Sequence, residues 1–179
     1  MPSLIVGIFR LAPYDAPVNA DVSTSRTRVT ADTVETYFGE YGWTFETLGP
    51  GVWRTGFRGD HSFFTIFLRL TDTWLYMTIT PFVPAPEDRE CRNHTYEAML
   101  YFNREMNLAK FALDEDNDVT LTVELPVTGL SFEVFSEGLT ALAYYADDSH
   151  PEMLEIAKDA RAISRFESLG GRAGKSLVA

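Results

Sequence analysis

The densest cluster of acidic side chains lies at residues 114–118, where the sequence reads Asp-Glu-Asp-Asn-Asp. Aspartates at alternating positions supply the oxygen ligands with which a calcium-binding loop begins. Such a loop also needs glycine at its sixth position and a bidentate glutamate at its twelfth, but this sequence has Val119 and Leu125 there. The pattern therefore predicts a solvated turn between two strands and no calcium site.

A second candidate for chemistry is the tail sequence Gly-Gly-Arg-Ala-Gly-Lys-Ser at residues 170–176, which is similar to a phosphate-binding loop. The spacing is one residue short, because Leu169 stands where the first glycine of the motif is required. The fragment also follows a predicted helix, whereas the motif joins a strand to a helix so that backbone N–H groups face the phosphate. We expect no nucleotide site here.

Three histidines and one cysteine remain as candidate metal ligands or nucleophiles. Cys91 and His94 are spaced to share one helical face, but two ligands make an incomplete zinc site and no second pair accompanies them. His61 and His150 fall in a predicted turn and a predicted helix break, and no serine lies in a Gly-x-Ser-x-Gly elbow. The sequence therefore predicts no catalytic residue, no metal site and no cofactor.

The composition is that of an acidic globular protein. Of 179 residues, 45% are hydrophobic, 13% aromatic and 23% charged, with a formal net charge of -11. These values exclude a disordered or coiled-coil chain, and so acidic a surface disfavours direct binding of nucleic acid. The apolar run Leu4–Phe9 is too short for a signal sequence or a membrane span, and a single cysteine is compatible with a reducing compartment. We expect a cytoplasmic protein that does not bind membranes.

The elements that must position these residues follow from hydrophobic periodicity and turn residues. Helices are predicted at residues 31–41 and 89–106, and from Ser131 onward with a break at Asp147–Pro151. The six predicted strands are Trp43–Leu48, Val52–Arg58, Ser62–Leu70, Trp74–Pro81, Leu108–Asp114 and Val119–Leu125. Short separators require antiparallel neighbours, and Pro81 is expected to end the fourth strand.

The order α-β-β-β-β-α-β-β-α predicts the α+β class, with helices packed on an antiparallel sheet of about five to six strands. Residues 1–30 are predicted to form an extended N-terminal arm, residues 31–167 a single domain and residues 168–179 a flexible tail. The second helix is expected to bury one face, which carries Tyr96, Met99, Leu100, Asn103 and Met106.

One face of the predicted sheet is aliphatic and the other is aromatic. Along the third strand, Phe64, Ile66 and Leu68 point one way, and this aliphatic face is the expected seat of the helices. The opposite face carries a composition enriched at protein interfaces. Its candidate partner-binding residues are Phe63, Phe67, Arg69, Trp74 and Tyr76. Two interpretations stay open, a partner-binding surface or a surface covered by further chain such as the N-terminal arm.

A set of short motifs runs through the second half of the chain. A predicted helix ends in Tyr-Phe-Asn-Arg-Glu-Met-Asn (101–107) and is followed by Lys-Phe-Ala-Leu-Asp (110–114), an acidic hairpin, Val-Thr-Leu (119–121) and a helix that reaches Ala146-Asp147. With these motifs, residues 30–160 resemble the YbjN-domain family. The resemblance implies a fold similar to that of the type III secretion chaperones, and a homodimer without enzymatic activity that has a stress-related or regulatory function. Relatives often form the dimer through the second helix, so the resemblance makes Tyr96, Met99 and Leu100 candidate dimer contacts, in competition with a role in the core.

The resemblance further implies a chaperone-like or adaptor protein that holds a client on its sheet face and helix grooves. The net negative charge would favour a basic client, such as a nucleic-acid-handling protein. The alternative from another class is a small-ligand-binding protein or enzyme with a pocket between the sheet and the C-terminal helix.

Overall fold

Residues 29–166 are described by a computed structural model. Within this range the helices are Ala31–Tyr41 (α1), Arg89–Glu105 (α2) and Phe132–Lys158 (α3). The strands are Glu46–Gly49 (β1), Val52–Arg58 (β2), Phe63–Leu70 (β3), Trp74–Val83 (β4), Ala109–Leu113 (β5) and Val119–Pro126 (β6). The predicted class and order of elements are confirmed. Residues 1–28 of the predicted arm and the whole predicted tail, residues 168–179, lie outside the described residues. The domain boundaries stay predictions.

The six strands form one antiparallel sheet in the order β1-β2-β3-β4-β6-β5. Short turns join β1 to β2, β2 to β3, β3 to β4 and β5 to β6. Helix α2 connects β4 to β5, and β4 pairs with β6 instead of β5. The hairpin between β5 and β6 reverses at Asn117, whose φ of 66° is the left-handed conformation that asparagine tolerates. The predicted turn at residues 114–118 is therefore confirmed.

Caps fix the ends of the helices. Thr30 and Thr33 form a reciprocal capping box at the start of α1, and Gly42 closes it with a φ of 82°. The side chains of Asp88 and Ser131 accept hydrogen bonds from backbone N–H groups in the first turns of α2 and α3. None of the helices in the described range is long and apolar enough to cross a lipid bilayer.

The core lies between the helices and one face of the sheet. Strand residues on this face are fully or almost fully buried; on β3, β4 and β6 they are Phe64, Ile66, Leu68, Leu75, Met77, Ile79, Val119, Leu121, Val123 and Leu125. The long helix α3 crosses β4 and β6 and contributes Phe135, Leu139 and Leu142. Helix α1 packs beside α3, and α2 packs on α3 and β5, so all three helices share one layer.

The predicted break in α3 is wrong, because the helix runs without interruption through Pro151. Proline has no N–H to donate to the carbonyl of Asp147, a defect that costs about 3 kcal/mol in a helix interior. Met153 and Ile156, beyond the proline, are both buried in the core. Burying two such side chains contributes about 1.5–3 kcal/mol each, which offsets the proline and keeps the helix continuous.

Two smaller predictions are also corrected. Strand β4 continues through Pro81 to Val83, and its pairing with β6 is irregular between Ile79 and Val83, where a residue without an N–H is tolerated. The buried face of α2 consists of Cys91, Thr95, Ala98, Met99 and Phe102. Leu100 lies on the opposite side with 71% of its surface exposed.

Candidate partner-binding surface

The face of the sheet that points away from the helices is called the open face below. It consists of the alternate residues Glu46, Val52, Arg54, Gly56, Arg58, Phe63, Thr65, Phe67, Arg69, Trp74, Tyr76, Thr78, Thr80, Lys110, Ala112, Asp114, Thr120, Thr122 and Glu124, of which Thr120 and Thr122 are buried. Phe63 and Trp74 are 58% and 39% exposed, and Phe67 and Tyr76 are half-buried. The structure thus brings together the five residues that the sequence predicts for this surface.

The strand register arranges the open face in rows across the sheet. One row contains, from β2 to β5, Arg54, Phe67, Thr78, Thr122 and Lys110, each directly opposite the next. Adjacent strands lie about 4.8 Å apart, so the two cations at the ends of this row are roughly 19 Å from each other.

The neighbouring row runs from Val52 through Arg69 and Tyr76 to Glu124. The Arg69 guanidinium lies over the Tyr76 ring, 5.0 Å from its centroid, which is a cation–π contact. This contact places an aromatic ring and a positive charge side by side at the centre of the sheet.

Close packing and internal hydrogen bonds fix several side chains of the open face. A Cβ atom at Gly56 would lie 2.9 Å from Cζ of Phe63, so the Phe63 ring can pack here only because Gly56 has no side chain. The hydroxyl groups of Thr78 and Thr122 hydrogen-bond to each other at 3.1 Å, and Thr80 donates to the Asp114 carboxylate at 3.1 Å. These hydrogen bonds satisfy the threonine hydroxyl groups of β4 and β6 within the protein itself.

Charge is distributed unevenly between the two sides of the molecule. The open face carries four cations, Arg54, Arg58, Arg69 and Lys110, against three carboxylates, those of Glu46, Glu124 and Asp114. The single helix α3, on the other side, carries Glu133, Glu137, Asp147, Asp148, Glu152 and Glu155 against Lys158. The acidity that favours a basic client in the sequence argument thus lies on the helical layer, whereas the open face is locally basic.

The three residues predicted on α2 do not join the open face. Met99 is only 6% exposed and packs in the core, which is the second of the two roles considered for it. Tyr96 is half-buried, and its hydroxyl donates to the Asn117 carbonyl at 3.1 Å. Leu100 alone presents a large apolar side chain to solvent, so α2 offers a separate surface centred on this residue.

The acidic hairpin uses its carboxylates internally. Oδ1 of Asp114 accepts hydrogen bonds from the N–H groups of Asp116 and Asp118, and Asp118 accepts one from the Ala85 N–H at 2.7 Å. In the range 29–166, no group of three or more His, Cys, Asp or Glu side chains is arranged to hold a metal ion. The glycine-rich motif at residues 170–176 lies outside the described residues.

The histidines and the cysteine have packing roles where the structure describes them. The His150 ring lies edge-on between Phe64 and Phe82, with centroids 5.1 Å from each, and burial lowers the pKa of this imidazole. A ring nitrogen of His94 hydrogen-bonds to the Ala162 carbonyl. Cys91 is buried, and burial raises the pKa of its thiol, so the sulfur is a poor nucleophile.

The space between the sheet and α3 is packed with side chains in the described range. Phe135, Leu139 and Leu142 fill this interface and are fully buried. An open groove of about 410 Å³ lies on the outside of α3, lined by residues that include Leu108 and Tyr144.

Asn103, which the helical spacing predicts on the buried face of α2, is half-buried, and its hydrogen bonds to a strand are not predicted by that spacing. Its side-chain amide donates to the Phe111 carbonyl at 3.0 Å, and its Oδ1 accepts from the Phe111 N–H at 2.7 Å. The side chain thus bonds to the outer edge of β5 as the backbone of a neighbouring strand would. The sequence signal that could have predicted these hydrogen bonds is an asparagine in the last turns of a helix that directly precedes a strand.

Comparisons with known proteins agree with this architecture. The sequence model of the YbjN family, described as "putative bacterial sensory transduction regulator", matches residues 30–155. A crystal structure of YbjN from E. coli is 14% identical, with a TM-score of 0.50 over 67% of this chain and 90% of that chain. The two therefore share a fold.

Two type III secretion complexes are also similar. The ExoU–SpcU heterodimer from Pseudomonas aeruginosa is 10% identical, with a TM-score of 0.48 over 69% of this chain and 96% of that one. The Yersinia pestis chaperone SycH, in complex with a fragment of YscM2, is 19% identical, with a TM-score of 0.39 over 63% and 92%. No curated protein matches the sequence.

Proposed function

Because the chain belongs to the YbjN family, we propose that it is a non-catalytic, protein-binding module of chaperone-like or regulatory type that holds a partner protein on its open face. It acts in the cytoplasm as a homodimer. The observation that carries this proposal is the group of four aromatic side chains on β3 and β4, Phe63, Phe67, Trp74 and Tyr76, which lie on the sheet face opposite the helices. Aromatic residues and arginine are the residue types that contribute most to binding at protein interfaces.

The size of the open face sets how much of a partner it can hold. Strands about 4.8 Å apart and residues about 3.3 Å apart give a central area of roughly 20 Å by 20 Å, or about 400 Å². A standard interface buries about 800 Å² on each partner. The aromatic centre is therefore the anchor of the interaction, and the rest of the partner contacts neighbouring surfaces.

The proposal is tested by replacing the anchor and asking whether a bound partner is lost. In cell extracts, the wild-type protein should retain one stoichiometric partner, and the double variant Phe67→Ser/Trp74→Ser should lose it. Tyr144→Ser is the matched control, because Tyr144 is an aromatic residue of α3 that is 63% exposed. Retention of the partner by the double variant would contradict the proposal, as would a large drop in its thermal midpoint, since that would make the two aromatics structural.

The homodimer is proposed to form through α2, with Leu100 at the centre of the contact. Leu100→Ser should convert the dimer to a monomer in light scattering at about 50 µM protein. Ile163→Ser is the matched control, because Ile163 is also 71% exposed and lies on another segment. A wild-type protein that is strictly monomeric at this concentration would refute the dimer, and an unchanged dimer in Leu100→Ser would refute this surface.

A further inference from the structure

The charges on the open face point to the chemistry of its partner. Resting on the proposed function, we propose that the open face binds an acidic segment of a partner protein. Its Asp and Glu side chains pair with Arg58, Arg69 and Lys110, and its apolar side chains contact Phe67 and Tyr76. The proposed partner segment is therefore acidic, whereas the negative net charge of the whole chain would favour a basic partner.

The cations surround the aromatic residues. Lys110 lies on β5 at the end of the row that contains Phe67, and Arg69 lies beside Tyr76 in the next row. Arg58 lies directly opposite Phe63 at the end of β2. A segment seated on the aromatic rings would therefore meet a positive charge in each of three directions.

These cations are available for a partner. Within the described range, Arg58 and Lys110 are exposed and form no ion pair, while Arg69 is held only over the Tyr76 ring. The fourth cation, Arg54, is bonded to Glu46, and because both side chains are about half exposed this pair is weak. Without that pair, the open face carries three positive charges against two carboxylates, those of Glu124 and of Asp114, and Asp114 already accepts hydrogen bonds from Thr80 and from the hairpin backbone.

Distance decides which charges a bound partner experiences. The helical layer packs about 10 Å from the sheet, so its outward-facing carboxylates lie farther than this from the open face. The Debye length at physiological ionic strength is about 8 Å. The carboxylates of α3 are therefore largely screened at the open face, and the local cations determine the preference there.

Single-stranded RNA is the other polyanion that binds aromatic and basic sheet surfaces. Base stacking requires free ring faces, but the Arg69 guanidinium already lies over one face of Tyr76. The observations therefore favour short runs of protein carboxylates over a phosphate backbone.

The test uses fluorescence anisotropy with the full chain and three labelled twelve-residue peptides. The three peptides share the same Leu and Ser positions and differ only in the residue that alternates with them, which is Glu in the first, Lys in the second and Gln in the third. A twelve-nucleotide oligo(U) is the fourth probe. We expect the Glu peptide to bind at least tenfold more tightly than the Lys and Gln peptides. Raising NaCl from 50 to 300 mM should weaken its binding several-fold.

Two charge variants separate the local effect from the global effect. Arg58→Gln/Lys110→Gln removes two cations from the open face and should weaken binding of the Glu peptide about tenfold. Arg89→Gln/Arg161→Gln removes the same charge from the helical side and should change the affinity by less than twofold.

The inference is overturned if the two variants weaken binding equally, if the Lys peptide or oligo(U) binds more tightly than the Glu peptide, or if no peptide binds. Loss of the cellular partner in Phe67→Ser/Trp74→Ser would still support the proposed function in each of these cases. The two ideas can therefore fail separately.

Discussion

The side chain of Asn103 should contribute more to stability than any other polar residue on the surface of α2. It satisfies both the N–H and the carbonyl of Phe111, a residue that is only 4% exposed. Asn103→Ala would remove both hydrogen bonds and leave two backbone groups under α2 without protein partners. An unsatisfied buried polar group costs about 1–3 kcal/mol, so we expect the free energy of unfolding to fall by about 2–6 kcal/mol for the two groups together.

Urea unfolding followed by far-UV circular dichroism, at one fixed protein concentration, measures this change. Asn93→Ala is the matched control on the same helix, because Asn93 is exposed and its replacement should change stability by less than about 0.5 kcal/mol. Asn103→Asp should be destabilised at pH 7, where a carboxylate would face the Phe111 carbonyl. It should recover in part at acidic pH, where a protonated carboxyl group can donate again.

The same substitution should expose the outer edge of β5. Hydrogen exchange of the Phe111 amide should become faster in Asn103→Ala, because its acceptor is lost. The freed edge would also present unpaired backbone groups that promote association of strands between molecules. A free energy of unfolding within 0.5 kcal/mol of wild type, together with unchanged protection of this amide, would refute the reasoning.

Two further predictions concern the contact between α3 and the strands. Burial holds the pKa of His150 below the value of about 6.5 in the unfolded chain. Stability should therefore be complete above pH 6.5 and decrease as the pH falls below it, and His150→Phe should remove this part of the pH dependence in urea unfolding between pH 7.5 and 5. Gly59→Ala would place a Cβ atom 2.2 Å from Oδ1 of Asp147, whose carboxylate accepts hydrogen bonds from the N–H groups of Asp60 and His61 at 3.0 and 3.3 Å. We expect a loss of about 1–2 kcal/mol, whereas Gly39→Ala, where a Cβ meets nothing within 4 Å, should be neutral or stabilising, and equal effects of the two would contradict this account.

Local signals were sufficient for most elements of this fold. The bounds of α1 could be predicted because Thr30 and Gly42 cap it, and β6 because apolar and polar residues alternate from Val119 to Leu125. The break in α3 was predicted from Pro151, a rule that is also local. It failed because Met153 and Ile156 are buried by strands distant in the sequence, and this burial has no local signature.

The buried face of α2 shows another limit of hydropathy. Leu100 is more apolar than Thr95 or Ala98, yet the smaller residues face the core and Leu100 faces solvent. A tightly packed interface with α3 and β5 selects side chains by size as well as by hydropathy. Counting apolar residues could not separate these two faces.

The candidate surface was predictable in its aromatic residues and not in its charge. Alternation along β3 and β4 is enough to place Phe67 and Tyr76 on one face. That Lys110 joins the row of Phe67 depends on the pairing of β4 with β6, which are not consecutive in the sequence. A net charge summed over the chain carries no information about which face holds the cations.

The central claim is that a partner protein binds the open face, and site-specific photo-crosslinking in living cells tests it most directly. A photoreactive phenylalanine analogue placed at Phe67 should give one discrete protein adduct, and the same analogue at the exposed Tyr144 of α3 should not. Adduct formation at Tyr144 without adduct formation at Phe67 would contradict the account.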